Sequence, residues 1–190
     1  MAHTHLLVGT TGSGKTHTLQ QLIDQATTDS TVTTWAIEPT RRGNLTAADR
    51  HTTTETAEQL LDQVLDLAAR RATACRQQGR TAHTPTEDQP RVLLLIDEAD
   101  HLLRRQPARA RQIEEIATTT RPLGIETAVA TTSVLLDVWP LGLREQLLAG
   151  DITVHGTPDR HTEALLRERV ADGTATVLPH ALRSRTTTTT

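Results

Sequence analysis

The sequence contains no Phe and no Tyr, and Trp35 and Trp139 are its only aromatic residues. The core of this chain of 190 residues must therefore be built from Leu, Val, Ile and Ala, and one core of ordinary size accounts for the length. Single-stranded nucleic acid is usually held on aromatic stacking platforms, which this composition excludes. If the protein binds nucleic acid, we expect it to follow the phosphates of a duplex.

Cysteine is almost as rare, since Cys75 is the only one. A single thiol excludes a disulfide framework and a thiolate metal cluster, and it fits a reducing compartment. The sequence also lacks a signal-peptide pattern and any apolar run near the roughly 20 residues that span a bilayer. We therefore expect a cytoplasmic protein without a membrane segment. The net charge of −3 excludes a uniformly basic surface, so any contact with DNA must be local.

Lysine occurs once, within a complete P-loop pattern. The pattern lies between an apolar strand predicted at residues 6–8 and a helix predicted at residues 16–26, and it reads Gly9-Thr10-Thr11-Gly12-Ser13-Gly14-Lys15-Thr16. In such a loop the glycines allow backbone N–H groups to surround phosphates, and the helix N-terminus adds positive potential. Lys15 would contact the β and γ phosphates, and Thr16 would offer its hydroxyl to Mg²⁺. These residues predict ATP and Mg²⁺ as ligands.

An acidic pair completes the predicted site. Residues 92–96 form a continuous apolar run, which is typical of a strand buried on both faces, and Asp97 and Glu98 follow it directly. Asp97 can hold Mg²⁺ through the water shell of the ion. Glu98 lies where a carboxylate can polarise the attacking water, a role that P-loop kinases of small molecules generally do not require. The pair therefore favours ATP hydrolysis.

Strand and helix patterns alternate along the rest of the chain. Further strands are predicted at residues 31–37, 127–131, 152–155 and 174–178, and further helices at residues 55–78, 108–120, 141–149 and 160–170. This alternation predicts an α/β, RecA-like P-loop NTPase fold with a mainly parallel sheet and helices on both faces. We expect a single domain over residues 1–180, followed by a disordered, Thr-rich tail at residues 181–190.

An ordered series of segments resembles a known family. Its members are the P-loop, Trp35-Ala36-Ile37-Glu38-Pro39, Ile96-Asp97-Glu98, Arg121-Pro122-Leu123-Gly124-Ile125, Ala130-Thr131-Thr132, Asp137-Val138 and Leu143-Arg144. With this series the chain resembles the motor core of the FtsK/SpoIIIE/HerA-type P-loop DNA translocases. The resemblance implies ATP hydrolysis, double-stranded DNA as the substrate, a ring-shaped homo-oligomer and a bare motor core without accessory domains.

The resemblance also implies roles for three further residues. Thr132 stands where the family usually has a glutamine that senses the γ-phosphate, and its shorter side chain leaves the coupling of hydrolysis to movement open. Arg121 or Arg144 would reach the site of a neighbouring subunit and stabilise charge there. The sequence does not choose between these two arginines.

Two alternatives to a translocase stay open. Residues 97–100 spell the DEAD-box motif, but such helicases bind nucleotide between two RecA-like domains, so this chain could supply only a helicase-like fragment. A non-translocating ATP-binding switch or adaptor ATPase is the second alternative. A cluster of arginines after the acidic pair is either a solvated surface or a phosphate-contacting one, and it consists of Arg104, Arg105, Arg109 and Arg111.

Overall fold

The computed structural model describes residues 4–38 and 43–178, so the tail predicted at residues 181–190 lies outside the described part. Within the described residues, seven strands form one sheet in which all neighbouring strands are parallel. The strands are β1 (Thr4–Gly9), β2 (Val32–Glu38), β3 (Arg50–Thr53), β4 (Arg91–Ile96), β5 (Ile125–Thr131), β6 (Asp151–His155) and β7 (Ala175–Leu178). Their order across the sheet is β3-β2-β4-β5-β1-β6-β7.

Six α-helices are found among the same residues. They are α1 (Lys15–Ala26), α2 (Ala57–Gln77), α3 (Ala99–Arg105), α4 (Arg109–Thr119), α5 (Leu141–Leu148) and α6 (Arg160–Ala171). Short 3-10 segments precede α2 and β5, at Thr54–Thr56 and Arg121–Leu123. The prediction of an α/β fold with a mainly parallel sheet is confirmed.

Alternate residues of the strands supply two hydrophobic cores, one on each face of the sheet. In β1, Leu6 and Val8 belong to one core and Leu7 to the other, as the period of two in a strand requires. Leu19 and Ile23 of α1 pack in the core that contains Leu7. The other helices contribute their buried apolar residues to the core that contains Leu6. The predicted cover of helices on both faces is therefore present.

Two elements differ from the sequence prediction, which had no β3 and no α3. β3 has the sequence Arg-His-Thr-Thr, without an apolar residue, and within the described sheet it pairs only with β2 at the edge. α3 has seven residues, too few for a clear helical period, although Leu102 and Leu103 are buried. The polarity of an edge strand and the shortness of a helix explain both omissions.

The strand order places three chain segments side by side. Because all strands are parallel, their carboxyl ends lie along one edge of the sheet. β5 lies between β1 and β4. Thr132, which follows β5, is therefore placed between the P-loop, which follows β1, and Asp97, which follows β4.

Length and apolar character decide whether a helix can cross a bilayer. Across residues 4–38 and 43–178, no helix combines the length and the apolar character that crossing a bilayer requires.

Candidate active site

The glycine-rich loop leaves β1 at a point of close packing. Gly9 pairs with His155 of β6, and a Cβ atom on Gly9 would lie 2.2 Å from the carbonyl oxygen of His155. Only glycine fits this approach. Gly14 has a φ of 105°, a left-handed conformation that glycine adopts without strain, and α1 begins at the next residue. The loop therefore turns sharply and points the first N–H groups of α1 to the carboxyl edge of the sheet.

Lys15 is the buried cation of the loop, with 6% of its surface exposed. Its Nζ donates hydrogen bonds to the carbonyl oxygens of Gly9, at 2.6 Å, and Thr10, at 2.9 Å. Burial lowers the pKa of Lys15, and the nearby carboxylates, of which Asp97 is the strongest, oppose that effect. The ammonium group is thus held within the loop. Bound phosphates would stabilise its positive charge, which burial disfavours.

Thr16 and Asp97 meet at the head of the loop. The Thr16 hydroxyl donates a 2.7 Å hydrogen bond to Oδ2 of Asp97. Burial raises the pKa of the Asp97 carboxyl, while hydrogen bonds from Thr16 and from the backbone N–H of Glu98 act in the opposite direction.

The chemistry of this pair suits Mg²⁺, which usually takes one or two protein oxygens and completes its octahedron with water and phosphate oxygens. No cluster of three or more His, Cys, Asp or Glu side chains suited to a metal occurs in the described part of the chain. A Mg²⁺ site at Thr16 and Asp97 does not need such a cluster, because hydroxyl, carboxylate, water and phosphate oxygens suffice.

Glu98 immediately precedes α3 and has an unusual backbone conformation. Its φ is 45° and its ψ is 47°, and it is the only non-glycine residue with positive φ among residues 4–38 and 43–178. Such left-handed conformations cost energy in residues with a Cβ atom and are common at functional sites. The Glu98 N–H donates to Oδ1 of Asp97 at 2.9 Å, which fixes the sharp turn between β4 and α3. This turn points the Glu98 side chain at the same cavity that Lys15 and Thr16 line.

Thr131 and Thr132 at the end of β5 are fastened to Asp100 of α3. Oδ2 of Asp100 accepts the Thr132 hydroxyl at 2.6 Å, and Oδ1 accepts the Thr131 hydroxyl at 3.1 Å and the Thr132 N–H at 3.4 Å. In the sequence, Asp100 stands out only as the last residue of the DEAD motif at residues 97–100. Asp100 lies three residues after Asp97, a spacing of about one helical turn. This spacing is the sequence feature that could have identified Asp100 as a residue of the site.

A cavity of about 420 Å³ collects these side chains at the carboxyl edge of the sheet. Most of the predicted site residues line it, together with two residues that sequence reasoning missed, Asp100 and His101. The lining consists of Thr11, Gly12, Gly14, Lys15, Thr16, Asp97, Glu98, Asp100, His101 and Thr132. The remaining predicted residues, Gly9, Thr10 and Ser13, belong to the loop behind the cavity, and Ser13 Oγ is buried without a hydrogen-bond partner among the described residues.

His155 was also missed, and it lies directly behind the loop. It is 3% exposed, and its Nε2 lies 3.4 Å from the Thr18 hydroxyl. Burial lowers the pKa of His155, and the charge of Lys15 lowers it further. A neutral imidazole therefore supports the loop from below.

The two arginines considered as contacts to a neighbouring subunit occupy different places. Arg121 lies in the 3-10 segment before β5, hence at the edge of the sheet opposite the cavity. Arg144 lies in α5, where its guanidinium contacts Glu145 at 2.9 Å. Neither of them lines the cavity of its own chain.

The arginine cluster after the acidic pair does not form a uniform basic surface. Arg104 contacts Asp137 at 3.3 Å, and Arg109 contacts Glu58 at 2.8 Å. Arg105 and Arg111 are exposed and have no ion pair or hydrogen bond from their side chains within the described residues. Unpaired charge in this cluster is therefore concentrated on Arg105 and Arg111.

Comparison with known proteins gives one family and several structures. The family model for the AAA domain matches residues 3–147. A search of curated proteins gives no match. Among solved structures, EssC (ATPases 2 and 3) from Geobacillus thermodenitrificans aligns with a TM-score of 0.71 and 15% identity, over 86% of this chain and 34% of that one.

Two further structures resemble the chain. The pCW3 conjugation coupling protein TcpA, in its form with ATPγS, gives a TM-score of 0.59 and 19% identity over 77% of this chain and 47% of that one. The genome packaging NTPase B204 from Sulfolobus turreted icosahedral virus 2, in complex with AMPPCP, gives a TM-score of 0.57 and 14% identity over 94% of this chain and 88% of that one. At these identities the likeness shows a shared fold. The chain spans less than half of the length of TcpA and EssC.

Proposed function

Because the chain belongs to the AAA domain family of P-loop ATPases, we propose that it hydrolyses ATP to move double-stranded DNA. One observation carries the proposal most directly. The Thr16 hydroxyl and the Asp97 carboxylate meet at 2.7 Å on the wall of the cavity that Glu98 also lines. This arrangement would bring phosphate binding, metal binding and a base for water together in one place.

ATP would lie with its phosphates in the loop formed by residues 9–16. Backbone N–H groups of the loop would surround the phosphate oxygens, and Lys15 would exchange its bonds to backbone carbonyls for contacts with the β and γ phosphates. Thr16 and Asp97 would hold Mg²⁺, which would supply positive charge to neutralise the phosphate oxygens. Glu98 would orient the attacking water and accept its proton.

Three considerations support double-stranded DNA as the substrate. The chain resembles the FtsK/SpoIIIE/HerA-type translocases in an ordered series of segments. Two proteins of the same fold are a conjugation coupling protein and a genome packaging NTPase. The exposed Arg105 and Arg111 offer free guanidinium groups to phosphates, whereas the aromatic residues that bind single strands are scarce.

Self-assembly into a ring belongs to the same proposal. Among the described residues that line the cavity, Lys15 is the only permanent cation, so the γ-phosphate would receive little further positive charge from its own chain. A ring would allow a neighbouring subunit to bring Arg121 or Arg144 to that phosphate. Specific ATPase activity should then rise with protein concentration as subunits assemble.

The decisive experiment measures ATP hydrolysis by the purified chain with and without DNA. We expect activity that rises on addition of a long duplex and rises less with a single strand of equal nucleotide concentration. The Glu98→Gln variant controls for contaminating ATPases. ATP binding without a rise in hydrolysis would favour the switch or adaptor ATPase. Separation of duplex strands, measured with a fluorescent duplex, would favour the helicase-like fragment.

A further inference from the structure

Asp100 and Thr132, which both line the cavity, are joined by a short hydrogen bond of 2.6 Å between Oγ1 of Thr132 and Oδ2 of Asp100. The two residues belong to different elements, since Asp100 lies in the first turn of α3 and Thr132 follows β5. The second carboxylate oxygen accepts the Thr132 N–H at 3.4 Å. Asp100 therefore holds both the backbone and the side chain of Thr132.

The direction of this bond determines what Thr132 can do. A carboxylate only accepts hydrogen bonds, so the Thr132 hydroxyl must donate its single proton to Asp100. The hydroxyl then presents lone pairs, and no proton, to the rest of the cavity. Oxygens of a γ-phosphate are also acceptors, so Thr132 has nothing to donate to them in this arrangement. A water molecule, in contrast, can donate a hydrogen bond to it.

We propose that Asp100 is a positioning residue that fixes Thr132 as an acceptor, so that Thr132 holds the attacking water and does not sense the γ-phosphate. The inference rests on the proposed ATPase function and assigns the role of Thr132 within it. One O–H of the water points to Thr132 and the other to Glu98. As the water oxygen bonds to the γ-phosphorus, the bond from that phosphorus to the β–γ bridging oxygen breaks. Its electron pair leaves with ADP, and the proton passes to Glu98.

The chain connectivity gives a reason for Asp100 in this role. Asp100 follows Glu98 by two residues, and the turn that contains Glu98 is fixed by the bond from its N–H to Asp97. Asp100 therefore connects the segment that carries the base to the end of β5. Asp100 bonds to Thr132 and is separated from Glu98 by one residue of the chain, so a short path connects the two side chains that would hold the water.

The test compares Thr132→Val, Thr132→Ser, Asp100→Asn and the Thr132→Val/Asp100→Asn double variant in the full chain. We expect Thr132→Val to reduce kcat roughly 10- to 100-fold, because a displaced water costs rate and not binding. Asp100→Asn keeps the shape but can donate its amide to Thr132, which turns the threonine proton to the cavity, so kcat should fall comparably. Thr132→Ser should restore kcat to within a few-fold. The ratio of ATPγS affinity to ADP affinity should stay within about 2-fold in Thr132→Val, as judged by calorimetry.

The double variant separates this role from a structural one. If Asp100 acts only through Thr132, the double variant should be no more than about 2-fold slower than the slower of Thr132→Val and Asp100→Asn. Thr119→Val is the matched control, since Thr119 is an exposed threonine whose hydroxyl bonds only to the Glu115 carbonyl within the described residues, and its kcat should equal that of the wild type.

Three results would overturn the inference while the ATPase stands. The first is a loss of 10-fold or more in ATPγS affinity relative to ADP affinity in Thr132→Val. The second is a kcat within 2-fold of wild type in Thr132→Val or in Asp100→Asn. The third is that the losses of kcat in Thr132→Val and Asp100→Asn multiply in the double variant. A wild-type chain that binds ATPγS and never hydrolyses ATP would instead refute the proposed function, and this inference would fail with it.

Discussion

Thr16 donates a 2.7 Å hydrogen bond to Asp97, which lies 81 residues later in the chain. The bond joins the first turn of α1 to the end of β4, although β5 separates β1 from β4 in the sheet. Both oxygens are of the kind that Mg²⁺ binds directly or through water. The P-loop and the acidic pair are therefore held in register by a contact that spans the width of two strands.

Replacing Lys15 by Ala should weaken ATP binding by about 10- to 100-fold, because charge-assisted hydrogen bonds to phosphate would be lost. The free energy of unfolding should change by less than about 1 kcal/mol, since the removed ammonium bonds only to backbone carbonyls beside an open cavity. Calorimetry with ATPγS and chemical denaturation check the two parts. Arg105→Ala removes one charge elsewhere and should leave ATP affinity unaltered. Unchanged affinity in Lys15→Ala would remove the P-loop interpretation.

Glu98→Gln separates binding from chemistry. The amide keeps the size of the side chain and loses the carboxylate that takes the proton from water, so turnover should fall by roughly 100-fold or more while ATP still binds. Single-turnover hydrolysis and ATPγS binding measure the two quantities. Glu168→Gln, an exposed acid of α6, is the matched control and should behave as wild type. Turnover of Glu98→Gln within a few-fold of wild type would assign the base to another residue.

Local patterns in the sequence were sufficient to predict the phosphate-binding part of the site. The P-loop is one contiguous segment, and the strand before it and the helix after it are strongly patterned, so Lys15 and Thr16 could be placed without knowledge of the sheet. Asp97 and Glu98 followed from one apolar strand. The predictions of a parallel α/β fold and of a P-loop ATPase domain are confirmed. A translocase of the FtsK/SpoIIIE/HerA type, the catalytic roles of the site residues and the DNA substrate stay predictions.

The contacts that sequence reasoning missed depend on strand order. The bond between Asp100 and Thr132 exists because β5 lies beside β4, which no local pattern encodes. The pairing of Arg104 with Asp137 and of Arg109 with Glu58 likewise joins residues from distant segments. Four arginines that are close in the sequence therefore differ in the structure, because carboxylates from elsewhere in the chain pair with two of them.

Buried His155 should make stability depend on pH. Burial lowers its native pKa below the unfolded value of about 6.5, so the unfolded chain binds more protons as the pH falls below that value. The stabilisation that comes from neutral His155 is fully present above about pH 6.5 and is lost as the pH falls towards the native pKa. The total loss in unfolding free energy is about 1.4 kcal/mol for each unit by which the pKa is lowered.

Chemical denaturation at several pH values between 7.5 and 5.5 measures this effect. The decrease in unfolding free energy should be smaller in His155→Gln than in wild type, and part of it should persist because burial also lowers the pKa of His83. His161→Gln, at an exposed position of α6, serves as the control and should follow the wild-type curve. Equal decreases in His155→Gln and wild type would show that His155 does not titrate in this range.

The final prediction concerns how a chain of net charge −3 could hold a polyanion. Arg105 and Arg111 are exposed and without partners among the described residues, whereas Arg104 and Arg109 already contact carboxylates, so the double variant Arg105→Ala/Arg111→Ala is the sharper test of a phosphate-contacting surface. Each phosphate contact releases counterions, so the slope of log affinity against log salt should become shallower by about 0.9 per contact, hence by up to about 1.8. The loss should be similar for duplexes of different sequence, because phosphates carry no base information. Fluorescence anisotropy across a salt series measures the slope. The double variant Arg160→Ala/Arg167→Ala removes the same charge from α6 and should keep the wild-type slope. An equal change of slope in both double variants would attribute the effect to total charge. An unchanged slope in both would place the DNA on another surface.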